Sequence, residues 1–162
     1  MHLMWPGDCE DAFQASHAGD DGGIRVARLA SGVSLVEVTC AAGSYQPSVM
    51  RFRLTEGTGV ASSTLLTFPV YTSEDGRDLR MSQEAEVWGE SVVITPAAEI
   101  AILGLARQTA DCGVWARYSL AGEQPRLLDA AARVECPVPL GSPVQLSGAR
   151  PPAGWTAIPR KD

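Results

Sequence analysis

The chain has 162 residues, of which 45% are hydrophobic and 20% charged, and its net charge is −6. This is the composition of a folded chain, and the length suits a single domain over residues 1–162. The negative charge argues against nucleic-acid binding, which needs a basic surface to displace counterions. The longest apolar run, residues 100–106, is far shorter than the ~20 residues of a membrane helix, so no membrane span is predicted.

The first element that the sequence predicts is a short helix beginning near Asp8. Asp8 is a favourable N-cap, Glu10 suits the positive end of a helix, and Cys9, Phe13 and His17 recur on one face. The residues before it lack the basic start and apolar core of a signal peptide. If the protein is exported, we therefore expect its leader to be absent from this sequence.

Strand patterns dominate from residue 24 onward. Apolar and polar residues alternate with a period of two, as in half-buried strands, in residues 36–40, 50–55, 114–120 and 128–136. Less regular candidates are residues 24–29, 63–71, 86–95 and 99–108. Turns rich in glycine separate these segments. The spacing predicts an all-β fold, mainly an antiparallel sandwich or barrel-like sheet of about seven or eight short strands.

Four cysteines fall into two similar units. Asp8-Cys9 precedes a strand that ends at Cys40, and Asp111-Cys112 precedes a strand that ends at Cys136. Matched cysteines at strand ends favour disulfides and hence an exported protein, whereas the alternative is four reduced, buried cysteines in a cytosolic protein. Because there is no Cys-x-x-Cys motif, no metal site is predicted.

Four cysteines allow three pairings, and the sequence alone cannot choose among them. A turn near Gly122 would fold the strands that carry Cys112 and Cys136 into a hairpin, with both thiols at the same end. By analogy, Cys9 would join the helix to the strand that ends at Cys40. We therefore predict the bridges Cys9–Cys40 and Cys112–Cys136.

These bridges would divide the chain into two parts. Residues 8–136 would form a core framed by the disulfides. Residues 137–162 are rich in proline, which cannot donate a backbone hydrogen bond, so this tail is predicted to be irregular.

One sequence pattern spans most of the chain and consists of two short segments followed by Cys136 and Trp155. The segments are residues 40–48, Cys-Ala-Ala-Gly-Ser-Tyr-Gln-Pro-Ser, and residues 109–113, Thr-Ala-Asp-Cys-Gly. This pattern resembles the bacterial family called domain of unknown function 1176, with Ala-Asp-Cys-Gly in place of Gly-Asp-Cys-Gly and Cys-Pro-Val in place of Cys-Arg-Gly. The resemblance implies export and structural cysteines, and it implies no activity.

Few residues are suited to catalysis. Only His2 and His17 could serve as the base for a nucleophile, and His2 lies near the chain terminus. Asp111 would raise the pKa of the neighbouring Cys112 thiol, which favours a structural cysteine over a reactive one. Phosphate loops and known catalytic motifs are absent from the sequence. No catalytic residue and no cofactor are therefore predicted.

Paired carboxylates could perform general acid–base chemistry on a sugar. The candidate pairs are Asp8/Asp11, Asp20/Asp21 and Glu84/Glu86. Only the last pair has an aromatic side chain nearby, that of Trp88. A solvated strand face is the simpler interpretation of all three pairs.

A second candidate site is an aromatic–arginine surface. Trp115 and Arg117 face away from the Val114 side of their predicted strand, and Trp88 and Tyr45 lie near strand ends or turns. Exposed aromatic and arginine side chains of this kind mark protein-binding surfaces. The alternative is that both faces of the sheet are covered, which would make Trp115 a core residue.

The resulting hypothesis is a non-catalytic extracytoplasmic protein, periplasmic or secreted, that binds or scaffolds another protein of the cell envelope. The alternative is a carbohydrate- or cell-wall-active protein that uses Glu84 and Glu86.

Overall fold

A computed structural model describes residues 6–17 and 22–160, which contain twelve strands, one α-helix and a short 3-10 helix (Thr95–Ala97). The elements are α1 (Gly7–His17), β1 (Ile24–Ala30), β2 (Val33–Ala41), β3 (Ser48–Glu56), β4 (Ala61–Leu65), β5 (Phe68–Thr72), β6 (Arg80–Glu84), β7 (Glu86–Trp88), β8 (Glu90–Ile94), β9 (Glu99–Leu105), β10 (Gly113–Ser119), β11 (Arg126–Arg133) and β12 (Thr156–Ala157). The predicted class, an antiparallel all-β fold with one N-terminal helix, is confirmed.

Two antiparallel sheets form a sandwich. The first sheet has the order β1-β2-β3-β4, and β7 pairs with the same strand β3 beyond the end of β4. The second sheet has the order β12-β11-β10-β9-β8, and β5 pairs with β6 in a separate ribbon. Sequential hairpins dominate this topology, since most neighbouring strands are joined by the short turns that glycine and aspartate favour.

The alternation within each strand sends side chains to two different cores. On β2, Leu35 faces the second sheet, whereas Val36 and Val38 face the helix. The core between the sheets comprises Leu35, Leu66, Phe68, Val87, Ile100, Ile102, Ala116, Tyr118, Leu120 and Ala130. The core beneath α1 comprises Cys9, Val36, Val38, Cys40, Met50 and Phe52. Both faces of the central strand β2 are therefore covered.

The outer face of the second sheet is covered by the tail. Trp155 packs there against Trp115, with Val144 and Leu146 at the periphery of the same cluster. The tail, predicted to be irregular, includes the short strand β12, which pairs with β11 at Ala131 and Ala132. The tail therefore contributes to the packing of the sandwich.

One segment of the chain takes part in all three sheets. Within residues 80–94, β6 pairs with β5, β7 with β3, and β8 with β9. The predicted strand 86–95 is split at Gly89, which has a φ of +135°, and a Cβ at this position would lie 2.4 Å from the backbone oxygen of Leu103. Glycine is required here because the backbone must both turn and approach β9 closely.

The twelve strands exceed the predicted number for two reasons. The predicted strands 63–71 and 86–95 are each two strands, since the chain leaves one sheet and enters another within them. The strands β6 and β12 were not predicted, because their sequences lack a regular apolar alternation.

Both predicted disulfides are present. Cys9 and Cys40 have Cα atoms 4.8 Å apart and join α1 to the end of β2. Cys112 and Cys136, 5.1 Å apart, flank the β10–β11 hairpin. The helix begins at Gly7, so Asp8 lies in its first turn rather than at the N-cap.

Candidate functional site

An open cleft of about 580 Å³ lies where β9 ends and β10 begins. Side chains and backbone of β9 and β10 line it on one side, and the β5–β6 ribbon and β7 complete it. Its apolar lining includes Val70, Val87, Ile102, Val114 and Ala116. The cleft is thus a place where the space between the sheets opens to solvent.

Four alternate residues of the β6–β7 segment line this cleft: Ser82, Glu84, Glu86 and Trp88. Glu84 ends β6 and Glu86 begins β7, so the two glutamates lie on either side of the junction between these strands. Both glutamates are exposed, and neither carboxylate forms a hydrogen bond or an ion pair with another described residue. The rim of the cleft therefore carries two adjacent carboxylates with no cation to neutralise them.

Trp88 rests on the turn between β2 and β3. Its side chain is 49% exposed, and a Cβ on Gly43 would lie 3.1 Å from the indole ring. Gly43 has a φ of +66°, and the same Cβ would lie 2.1 Å from the backbone oxygen of Gln46. The absence of a side chain at Gly43 thus allows both the turn and the close approach of Trp88.

The side chain of Gln46 fixes this turn to the second sheet. Its Nε2 donates to the backbone oxygen of Leu105 at 3.0 Å, and its Oε1 accepts from the Leu105 amide at 2.7 Å. These are the backbone groups that β8 would pair if it continued past Gly89. Gln46 therefore takes the place of a neighbouring strand and holds the rim of the cleft in position.

The deep side of the cleft is closed by Tyr118. Its ring packs edge-on against Phe68, with centroids 5.1 Å apart, and its hydroxyl donates to the backbone oxygen of Pro69 at 2.8 Å. Burial raises the pKa of Tyr118, so the phenol stays protonated. Because its hydroxyl is engaged in this hydrogen bond, Tyr118 presents only the apolar part of its ring to the cleft.

A buried ion pair lies elsewhere between the sheets. The Nε of Arg51 donates to Glu37 at 2.9 Å, and the guanidinium lies 5.6 Å from the Phe68 ring centroid. Arg51 is fully buried, and burial lowers its pKa while the charge of Glu37 opposes that shift. Its Nη1 and Nη2 have no hydrogen-bond partner in the described part of the chain. This pair is absent from the cleft lining, so we assign it to the interior of the sandwich.

A second buried carboxylate, Asp111, organises the loop before β10. It accepts hydrogen bonds from Arg107 at 2.7 Å, from Thr109 at 2.9 Å and from the backbone amide of Gly141 at 2.9 Å. The hydrogen bond from Arg107 holds the pKa of Asp111 well below its usual range, although burial opposes it. The Asp-Cys pair in the sequence therefore joins this loop to the tail and to the Cys112 disulfide.

The predicted aromatic–arginine surface is wrong at Trp115. This side chain is only 1% exposed, because the tail packs over it. Arg117 is partly buried and forms ion pairs with Glu99 and Asp129, so it is committed to its neighbours on the sheet. The alternative, in which both sheet faces are covered, is the arrangement observed.

The other two members of that surface are exposed. Trp88 lines the cleft, and Tyr45 is 39% exposed in the same turn as Gly43 and Gln46. The structure thus separates the four predicted residues into two that pack within the second sheet's outer layer and two at the rim of the first sheet.

The remaining catalytic candidates do not meet in the cleft. Asp8 and Asp11 lie on exposed positions of α1 and do not line it. His2, Asp20 and Asp21 lie outside the described residues, and His17 is described only by its backbone. Among the described residues there is no cluster of three or more potential metal ligands. Within the same residues, no helix has the length and apolar character needed to cross a membrane.

Comparison with protein-family models, with curated proteins and with solved structures finds no match to this chain. The resemblance to domain of unknown function 1176 therefore stays a prediction. Two of the segments that carry that resemblance border the cleft, through Gln46 and Gly113.

Proposed function

We propose that this protein is a non-catalytic extracytoplasmic module that binds a segment of another protein in the cleft. The observation that carries this proposal is the cleft itself, whose volume of about 580 Å³ lies within the usual range of ligand sites. Its apolar lining and its half-exposed Trp88 supply the kind of surface that dominates binding energy at protein interfaces.

The chemistry of the lining supports binding over covalent catalysis. Among the described residues, no histidine, cysteine or basic side chain lines the cleft. A serine or threonine nucleophile in the cleft would therefore lack the histidine or cationic partner that commonly activates it.

Two disulfides favour an oxidising environment outside the cytoplasm. We extend this to the periplasm or the extracellular space, with a partner in the cell envelope. The partner would thus be encountered where the disulfides are stable.

The test is affinity capture from an envelope extract with a cleft-blocking variant. Ala106 lines the cleft and is exposed, so Ala106→Trp should fill its mouth while leaving the fold intact. Ala121 is an exposed alanine outside the cleft, and Ala121→Trp is the matched control. We expect a partner that co-purifies with wild type and with Ala121→Trp and is lost with Ala106→Trp. Equal capture by all three proteins would contradict the proposal.

A specific observation also favours the carbohydrate-active alternative. Glu84 and Glu86 line one cleft with Trp88, and a pair of carboxylates at one site is the arrangement that glycosidases use. Release of reducing ends from cell-wall polysaccharide, lost in both Glu84→Gln and Glu86→Gln, would support this function. Binding without any hydrolysis supports the non-catalytic module.

A further inference from the structure

We propose that the bound segment places a basic side chain, flanked by apolar residues, between the two glutamates and Trp88. This inference rests on the proposed function and specifies the chemistry of the partner. Three features of the cleft support it: the two carboxylates, the indole of Trp88 and the apolar interior.

The charged side chains that line the cleft are all acidic. Glu84 and Glu86 are the charged residues of the described lining, and neither is neutralised by a described arginine or histidine. Elsewhere in the molecule the carboxylates of Glu37, Glu99 and Asp111 each have an arginine partner. The two cleft glutamates are thus available to a cation from outside, and they would repel an anionic ligand.

Trp88 provides a second contact for a cation. It follows Glu86 on the same face of the strand, and its half-exposed indole is held in place by the turn at Gly43. An ammonium or guanidinium group over an indole face gains energy from the ring quadrupole. A basic side chain between the carboxylates would therefore also contact the ring.

The interior favours an apolar neighbour for that cation. Val70, Val87, Ile102 and Val114 lie below the acidic rim. Aliphatic side chains on either side of a lysine, and the methylene stem of the lysine itself, can bury apolar surface against these residues. A neutral sugar would place hydroxyl groups against the same surface, where they would lose hydrogen bonds to water.

The probes are three blocked tripeptides that differ only in their central residue: acetyl-Leu-Lys-Leu-amide, acetyl-Leu-norleucine-Leu-amide and acetyl-Leu-Glu-Leu-amide. Titration calorimetry on the whole protein should rank them in that order. Because each exposed charge pair contributes only modestly, two carboxylates should give the lysine peptide about a tenfold preference over the norleucine peptide. The preference should shrink as salt is raised.

The double variant Glu84→Gln/Glu86→Gln should remove this preference, so that the lysine and norleucine peptides bind it with similar affinity. Glu10→Gln/Glu123→Gln is the control, since both residues are exposed and lie outside the cleft. Equal affinity of wild type for all three peptides would overturn the charge inference and leave the cleft as a binding site. Binding of none of them, or binding that Ala106→Trp does not weaken, would overturn the proposed function as well.

Discussion

Two tryptophans illustrate how position within the sandwich determines the role of a residue. Trp115 is 1% exposed beneath the tail, whereas Trp88 is 49% exposed at the rim of the cleft. Both were candidates for the same surface on sequence grounds, because alternation shows that two residues lie on opposite faces without showing whether each face is covered. The cover over Trp115 comes from residues of the tail, about thirty or more positions later in the chain.

Trp115→Ala should lower the free energy of unfolding by about 3–5 kcal/mol, because it leaves a large cavity between the second sheet and the tail. In a domain of this size, the thermal midpoint should fall by roughly 6–20 °C. Trp88→Ala is the matched control and should change the midpoint little. Similar midpoints for the two variants in calorimetric melts would contradict this assignment.

The buried pair of Glu37 and Arg51 allows a second prediction. Glu37→Gln leaves the Arg51 guanidinium buried without its counter-charge, so it should cost about 3–5 kcal/mol in denaturant unfolding. Glu56→Gln breaks the exposed pair with Arg28 and should cost at most about 1 kcal/mol. A small effect of Glu37→Gln would show that Arg51 is hydrated or neutralised by another group.

At the scale of elements, Gly89 is where the chain passes from β7, which lines the cleft, to β8 in the second sheet. Gly89→Ala introduces a methyl group 2.4 Å from the Leu103 oxygen at a φ of +135°. We expect a loss of roughly 1–3 kcal/mol from the strained backbone, or more if β8 separates from β9. Thermal melts measure it, with Gly59→Ala as control, since a Cβ there meets no atom within 4 Å although φ is also positive. Equal losses in the two variants would show that φ alone, and not the approach to β9, makes glycine necessary.

The loop held by Asp111 should give the molecule a pH-dependent stability. Its pKa is lowered in the folded state, so its stabilising effect is complete above the unfolded value of about 4 and is lost as the pH falls from there. Denaturant melts between about pH 5 and pH 2 should show a smaller loss of stability in Asp111→Asn than in wild type. Glu123→Gln, an exposed control of the same charge change, should keep the wild-type slope. An unchanged slope in Asp111→Asn would contradict the role of this carboxylate.

The sequence was sufficient to predict elements whose own pattern is strong. The alternation in β2, β3, β10 and β11 identified these strands, and the hairpin of the last two identified one disulfide. It could not show where a strand changes sheets, since that depends on contacts with distant strands. Only part of the cleft could be predicted from the sequence. Glu84, Glu86 and Trp88 were grouped because they are close in sequence, but the contact of Gln46 with Leu105 joins residues separated by 59 positions.

On the scale of the whole molecule, the outer faces of the sheets are largely covered, whereas the space between the sheets is open to solvent at one place. The helix packs on β2 and β3 of the first sheet, the tail packs on the outer face of the second, and the space between the sheets opens at the cleft. Exposed apolar residues also occur on the edge strand β1, where Val26 is 65% exposed. The cleft and β1 thus both expose apolar side chains, and the position at which a partner makes contact distinguishes them.

Site-specific photo-crosslinking in the cell envelope tests the central claim most directly. A photoreactive phenylalanine analogue would replace Ser82, which lines the cleft, or Val26, which lies on β1 outside it. We predict a covalent adduct with an envelope protein from position 82, lost when Ala106→Trp is added, and no such adduct from position 26. An adduct from position 26 alone, or one from position 82 that persists with Ala106→Trp, would contradict the assignment of the cleft as the binding site.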